Sequence, residues 1–377
     1  MSMKSAGAVI STILRHDAKT ASYKIALIRS LNDVILGYPS IDIRNCQHIA
    51  VPLRKLAEFW IAYYWPFVGT NQLLQGRPQG SKLDISFRSK LTELRKFWDV
   101  LHGTSLESDG YFLIAEMRSL HRLSYPDEFK NLYAEALSAI VHALRQPIRY
   151  AGPGEWTVFP KPLRWASMNQ SRLMAIPDTI NQDLCLLVSK ELWTEFLSVS
   201  LWVEALCIHE WALFTESLAG VSRGKIYEAL TSRPDNRRPL TWERNYIELL
   251  MMEGHRFVCP WTDKVLSQKN FDLDHLIPLA VYPINEMWNL VPSDRYFNQR
   301  IKRARLPRHD KTANLPQKLT QIYKTYGLLK ELDNVLKRDS QMRFGDFSYH
   351  ANFYSALGHS VTSFIEAVRN FRNVDEF

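Results

Sequence analysis

The sequence predicts a mainly α-helical, multi-helical protein with an embedded strand–loop–strand–helix element in its C-terminal half. Apolar residues recur at helical spacing through most of the chain, whereas a short alternation of apolar and polar residues begins at Phe271. The 377 residues, 46% of them hydrophobic and 23% charged, are enough for two or three domains and a large core. The formal net charge of +8 is a mild basic excess, compatible with a nucleic-acid partner.

Residues 1–148 are predicted to form an N-terminal helical domain. Gly37, followed by Pro39, is a stop signal for the first well-patterned helix. The abundant aromatic residues of this region lie at helical spacing, which favours a buried core over a platform for stacking bases. The predicted helices span Tyr23–Gly37, Leu53–Tyr64, Ile85–His102, Phe112–Leu120 and Pro126–Arg145.

Residues 149–250 are predicted to contain a hairpin or domain junction followed by helices. The turn residues Ala151–Gly154 precede a short apolar run, Trp156–Phe159, which predicts a strand. Helical spacing then returns over Asp178–Leu218 and again over Trp242–Met252. Between these helices lies a basic stretch, which is interpreted as a solvated loop or, alternatively, as a contact to a DNA backbone. Its cations are Arg223, Lys225, Arg233, Arg237 and Arg238.

No stretch of the sequence predicts membrane insertion or secretion. The apolar run Leu56–Val68 is too short to span a bilayer, and Glu204, His209 and Glu210 interrupt the run Leu197–Phe214. The N-terminus lacks the pattern of a signal peptide. The cysteines have no paired spacing, so reduced thiols in a cytoplasmic, soluble protein are expected.

Residues 251–308 contain the strand–loop–strand–helix element. A strand that begins at Phe271 leads into Asp274 and His275, and Pro278 prevents a helix from following. A second apolar piece, Asn289–Val291, ends at Pro292. Ser293 or Asp294 can then cap a basic helix over Arg295–Arg305. Residues 309–377 are predicted to be helical over Pro316–Tyr326, Leu328–Leu336, Tyr349–Leu357 and Ser360–Phe371.

The polar residues of this element suit phosphodiester cleavage. His275 has the kind of side chain that serves as a general base near neutral pH. Asp274 and Asn298 offer one carboxylate and one amide oxygen, a donor set that suits Mg²⁺ or Mn²⁺ rather than zinc. Adjacent strand residues point to opposite faces, which separates His275 from Asp274. The cations of the following helix would contact DNA phosphates: Arg295, Arg300, Lys302, Arg303 and Arg305.

The Asp-His-x-x-Pro segment, Asn289 and Asn298 together resemble the ββα-metal core of HNH endonucleases. The arrangement is similar to the variant in RNA-guided nucleases, which also has Asn in place of the last His. Asn289 follows His275 by 14 residues and precedes Asn298 by nine. The resemblance covers roughly residues 259–308. It implies that His275 is the general base, that Asp274 and Asn298 hold the metal, and that Asn289 keeps the catalytic loop in shape.

One departure concerns the structural zinc that many HNH proteins hold with two Cys-x-x-Cys pairs. This chain has Cys259-Pro260-Trp261-Thr262 in place of the first pair, and Asp294–Phe297 stands where the second is expected. One thiolate cannot build a tetrahedral zinc site, so no structural zinc is expected. The core is predicted to be held by packing of Trp261, Phe271, Trp288 and Phe297.

The resulting expectation is a metal-dependent DNA endonuclease that nicks one strand per active site. Alternatives are a non-cleaving HNH fold that binds or regulates nucleic acid, a nuclease acting on RNA, and an accidental Asp-His pair in a structural segment. The helical surroundings are similar to those expected of a bacterial anti-phage or restriction nuclease, such as the HNH component of Zorya-type systems. Partners would then be DNA and other defence proteins; the oligomeric state stays open.

Overall fold

The computed structural model describes residues 5–69, 73–78, 84–103, 106–232, 240–279, 281, 285–345, 352–372 and 374–377. These residues are mainly helical, as the sequence predicts. The chain divides into two compact units. The first unit contains residues 1–37 and 41–235, and the second contains residues 38–40 and 236–377.

The first unit is built from eight α-helices, and its predicted helices are present with small shifts of their ends. The helices are α1 (Ala6–Ser11), α2 (Tyr23–Leu36), α3 (Leu53–Tyr64), α4 (Arg88–His102), α5 (Asp109–Arg118), α6 (Asp127–Arg149), α7 (Lys190–Ala219) and α8 (Arg223–Thr231). An aromatic cluster lies at the centre of this core. It consists of Tyr23, Trp60, Tyr64, Phe87 and Trp211, whose ring centroids lie 5.0–6.0 Å apart where they pair.

A four-stranded sheet in the first unit was not predicted. Its strands are β1 (His48–Pro52), β2 (Leu163–Arg164), β3 (Leu173–Ala175) and β4 (Leu184–Ser189), in the spatial order β2–β4–β1–β3. β1 pairs antiparallel with β4 and parallel with β3. The predicted strand Trp156–Phe159 is wrong, because these residues form turns. The predicted helix from Asp178 is also wrong over its first part, because Leu184–Ser189 is a strand.

Helix α7 is long and apolar enough, by length and composition alone, to cross a membrane. Core helices of soluble proteins share this property, and Trp193, Phe196, Cys207 and Trp211 of α7 are buried within the first unit. The helix bends at Val199, whose backbone angles are not helical. The bend lies next to Ser198, where the sequence predicts a junction between two helices.

The second unit contains a hairpin and six helices. Its helices are α9 (Thr241–Met252), α10 (Arg295–Phe297), α11 (His309–Thr312), α12 (Leu315–Tyr326), α13 (Lys330–Phe344) and α14 (Phe353–Arg372). The two helices predicted over Tyr349–Leu357 and Ser360–Phe371 are one helix, α14; Tyr349 itself lies outside the described residues. Of the predicted basic loop, Arg223 and Lys225 lie in helix α8, and the other three cations lie outside the described residues.

The hairpin is formed by β5 (Phe271–His275) and β6 (Leu290–Asp294), which pair antiparallel. A short 3₁₀ turn, Met287–Asn289, leads into β6, and α10 follows β6 directly. The predicted order of strand, loop, strand and helix is therefore present. The four residues predicted to hold the core by packing, Trp261, Phe271, Trp288 and Phe297, all lie in the hydrophobic core of the second unit.

Candidate active site

Asp274 and His275 lie at the end of β5, opposite Val291 and Leu290 of β6. Because successive side chains of a strand point to opposite faces, the carboxylate and the imidazole leave the hairpin in different directions. Both side chains are largely buried, with 6% of Asp274 and 9% of His275 exposed. A buried carboxylate and a buried imidazole require partners, and the structure gives each of them a defined one.

Asn289 closes the loop between the two strands. Its side-chain oxygen accepts a hydrogen bond from the Ile277 N–H at 2.8 Å, and its side-chain nitrogen donates to the Ile277 carbonyl at 3.1 Å. Its own backbone carbonyl accepts from the Leu276 N–H at 2.8 Å. Asn289 and Ile277 are completely buried. The side chain therefore fixes the residues that directly follow the Asp–His pair.

His275 is oriented by Asn285. The imidazole Nε2 lies 2.8 Å from the Asn285 side-chain oxygen. An amide oxygen only accepts hydrogen bonds, so Nε2 carries the proton and Nδ1 keeps the lone pair in the neutral ring. Burial lowers the pKa of His275, although the bond to Asn285 and the charge of Asp274 act in the opposite direction. The imidazole is therefore neutral, and able to accept a proton at Nδ1, at a lower pH than an exposed histidine.

Asp274 is paired with Lys302. The Lys302 ammonium lies 3.1 Å from Asp274 Oδ1 and donates to the His275 backbone carbonyl at 2.7 Å. Lys302 is completely buried. Burial raises the pKa of Asp274, and the Lys302 charge opposes that shift. The other carboxylate oxygen, Oδ2, is buried without a hydrogen-bond partner.

Asn298 begins a π-helical turn, Asn298–Lys302, that continues α10. Asp294 caps α10, because its carboxylate accepts from the Phe297 N–H at 2.8 Å. The π turn closes with a hydrogen bond from the Arg303 N–H to the Asn298 carbonyl. Lys302 follows Asn298 by four residues, so the half-buried Asn298 and the buried Lys302 lie on nearly the same side of this turn.

The five cations predicted to contact DNA have different surroundings. Arg300 and Arg303 are exposed. Arg295 is bonded to Asp272 at 3.0 Å, and Arg305 donates to the Ile301 carbonyl. Lys302 is buried with Asp274, as described above. Two of the five are therefore exposed and without a bond described in the structure.

The residues present fit a hard divalent cation in donor chemistry. Within the described part of the chain, no group of three or more His, Cys, Asp or Glu side chains could hold a metal, so zinc-type clusters are not formed there. Asp274 and Asn298 offer oxygen donors only, which suits Mg²⁺ or Mn²⁺ with several waters. The partnerless Asp274 Oδ2 is the observation in favour, because buried carboxylate oxygens normally have a partner.

Aromatic packing occupies the region where related proteins hold zinc. Cys259 is buried with a free thiol, as are the other three cysteines. Trp261 contacts the Phe377 ring at 5.3 Å between centroids, and Phe297 contacts the same ring at 5.5 Å. Backbone hydrogen bonds between Leu306 and Phe377 fix that ring in place.

Two residues of the site escaped the sequence analysis. Lys302 was grouped with the cations on the helix surface, although its spacing of four from Asn298 placed both on one side of the helix. Asn285 lies in the loop between the strands, and no sequence pattern predicts which loop residue meets His275. Both contacts depend on tertiary packing.

The fold and the site define a mainly helical protein whose second unit contains a strand–loop–strand–helix element with a buried Asp–His pair. The chain belongs to the family described as a domain of unknown function, DUF8808, whose model matches residues 3–230. No curated protein and no solved structure matches the chain. The matched span covers most of the first unit and ends before the candidate site.

Proposed function

We propose that the protein is a metal-dependent endonuclease of the HNH type that hydrolyses DNA phosphodiester bonds, one strand per active site. The observation that most supports this function is the convergence at one hairpin end of Asp274, His275 and the buried Asn289. Asp274 is buried at the expense of desolvation, and its Oδ2 has no partner. Such groups are concentrated at functional sites.

In the proposed reaction His275 is the general base. The Asn285 side chain holds Nε2–H, and Nδ1 accepts a proton from water. The resulting hydroxide attacks phosphorus, the bond to the 3′ oxygen breaks, and that oxygen takes a proton from solvent. The products carry a 5′ phosphate and a 3′ hydroxyl. Asn289 contributes by keeping the residues after His275 fixed, which preserves the orientation of the base.

Asp274 and Asn298 are the residues that would hold Mg²⁺ or Mn²⁺. When bound, the cation would neutralise negative charge on the phosphate and on the leaving oxygen. The exposed Arg300 and Arg303 follow the π turn and would supply attraction to the DNA backbone that does not depend on sequence. A setting in anti-phage defence or restriction, together with a cytoplasmic location, is proposed from the family resemblance and the composition alone.

The test is a nicking assay on supercoiled plasmid with Mg²⁺ or Mn²⁺. The wild type should convert plasmid to open circles, and EDTA should stop the conversion. His275→Ala should lose at least about a hundredfold in rate, the usual contribution of a general base. His359→Ala, which removes an exposed imidazole of α14 in the same unit, is the matched control and should cut normally. Equal rates for wild type and His275→Ala would refute the proposed base.

A second candidate is a nucleic-acid-binding protein that does not cut. The contact between Lys302 and Asp274 favours it, because an ammonium already neutralises the carboxylate that the nuclease needs for its cation. Retardation of DNA in a gel without any open-circle product, at every divalent metal concentration tested, would select this candidate.

A further inference from the structure

Lys302 places a positive charge at the carboxylate of the candidate metal site. Its ammonium contacts Asp274 Oδ1 and the His275 carbonyl, two oxygens from adjacent residues of β5. Both partners of the ion pair are buried, so water screens their attraction only weakly. The surroundings of the ammonium are therefore those of a cation held by oxygen ligands.

The backbone that carries Lys302 is irregular. Lys302 is the last residue of the π-helical turn, and Arg303 follows with φ +49° and ψ −128°, values that a residue other than glycine rarely adopts. π-helical turns and such backbone conformations occur preferentially at functional sites. The chain thus holds Lys302 against Asp274 through a local structure that a regular helix would not provide.

We propose that Lys302 is a resident cation of the site, and that a divalent ion binds to Asp274 only when the Lys302 ammonium leaves it. The proposal rests on the proposed function insofar as Asp274 is taken as a metal ligand. Two positive charges cannot share a single buried carboxylate without strong repulsion, so the ammonium and the divalent ion compete. Lys302 therefore weakens metal binding and sets the metal concentration at which the site is filled.

The first test is titration of Mn²⁺ into the full-length protein, followed by calorimetry and by the electron paramagnetic resonance signal of free Mn²⁺. Lys302→Gln keeps a hydrogen-bond donor for Asp274 but removes the charge, and should bind Mn²⁺ roughly tenfold or more tightly than wild type. Asp274→Asn should abolish this binding. Circular dichroism and thermal unfolding establish that each variant is folded.

The second test uses the wild type, so that it does not depend on a variant that folds. An amine-acetylating reagent followed by mass spectrometry reports the reactivity of each lysine. Lys302 should react slowly without metal and several-fold faster with saturating Mg²⁺. The exposed Lys324 of α12 is the control, and its rate should not change.

The outcomes separate this proposal from the proposed function. Equal Mn²⁺ affinity in wild type and Lys302→Gln, no binding in either, or unchanged Lys302 acetylation in Mg²⁺ would overturn the resident-cation proposal. Nicking that depends on His275 would still support the nuclease in the first and third cases. Tighter binding by Lys302→Gln without nicking by any form would support the competition and reject the nuclease.

Discussion

Asn289→Ala is the perturbation whose cost follows most directly from the structure. The variant loses two hydrogen bonds, at 2.8 and 3.1 Å, that tie the Asn289 side chain to the N–H and the carbonyl of Ile277. Both residues are completely buried, so the two backbone groups lose their partners where water does not easily reach. An unsatisfied buried group costs about 1–3 kcal/mol. The expected loss in the free energy of unfolding is therefore about 3–5 kcal/mol.

The assay is urea unfolding of the full chain, followed by fluorescence and circular dichroism. Hydrogen exchange of the peptide that contains Ile277 gives the local effect, because the Ile277 N–H should lose its protection. Asn314→Ala is the matched control, since Asn314 is exposed at the start of α12 and makes no side-chain capping bond. It should change stability by about 0.5 kcal/mol or less. A loss under about 1 kcal/mol for Asn289→Ala would refute the loop-holding role.

Three further predictions concern the base, the zinc-free core and the DNA contacts. The nicking rate should fall as pH decreases, with an inflection below the ordinary histidine value of 6.5, because burial lowers the pKa of His275; an inflection above 6.5 contradicts this. Phe377→Ala should lower the free energy of unfolding by about 3 kcal/mol, while EDTA leaves the wild-type melting temperature unchanged; a large EDTA effect would indicate a structural metal. Joint replacement of Arg300 and Arg303 by alanine should reduce the salt dependence of DNA affinity by about two phosphate contacts, measured by fluorescence anisotropy, and an unchanged slope would exclude both residues.

The helices could be predicted well because their apolar spacing is a local property. The strand β4 could not, since its apolar run leads straight into α7, and periodicity alone does not distinguish a short buried strand from the start of a buried helix. Its pairing with β1 joins residues that are far apart in the sequence. The short strands β2 and β3 carry too few residues for any pattern to identify them.

The candidate site was predicted in part for the same reason. Asp274 and His275 fall on a strand that local alternation identifies, and their opposite directions follow from strand geometry. The side-chain contacts of Lys302 and Asn285 depend on how a helix and a loop pack against that strand. Residue type and local charge placed Lys302 among solvent-facing cations, whereas packing buries it at Asp274.

The buried pair of Asp274 and Lys302 is difficult to explain by stability alone. Removing one partner leaves a buried charge and should cost about 3–5 kcal/mol, but replacing both by apolar residues of similar size is often neutral or stabilising. Asp274→Leu combined with Lys302→Met should therefore unfold at about the wild-type urea concentration, whereas each single variant unfolds earlier. If the double variant also binds DNA but does not nick it, the pair serves chemistry rather than folding. A double variant less stable than wild type by more than about 2 kcal/mol would instead assign the pair a structural role, and the strongest support for a cation site at Asp274 would be lost.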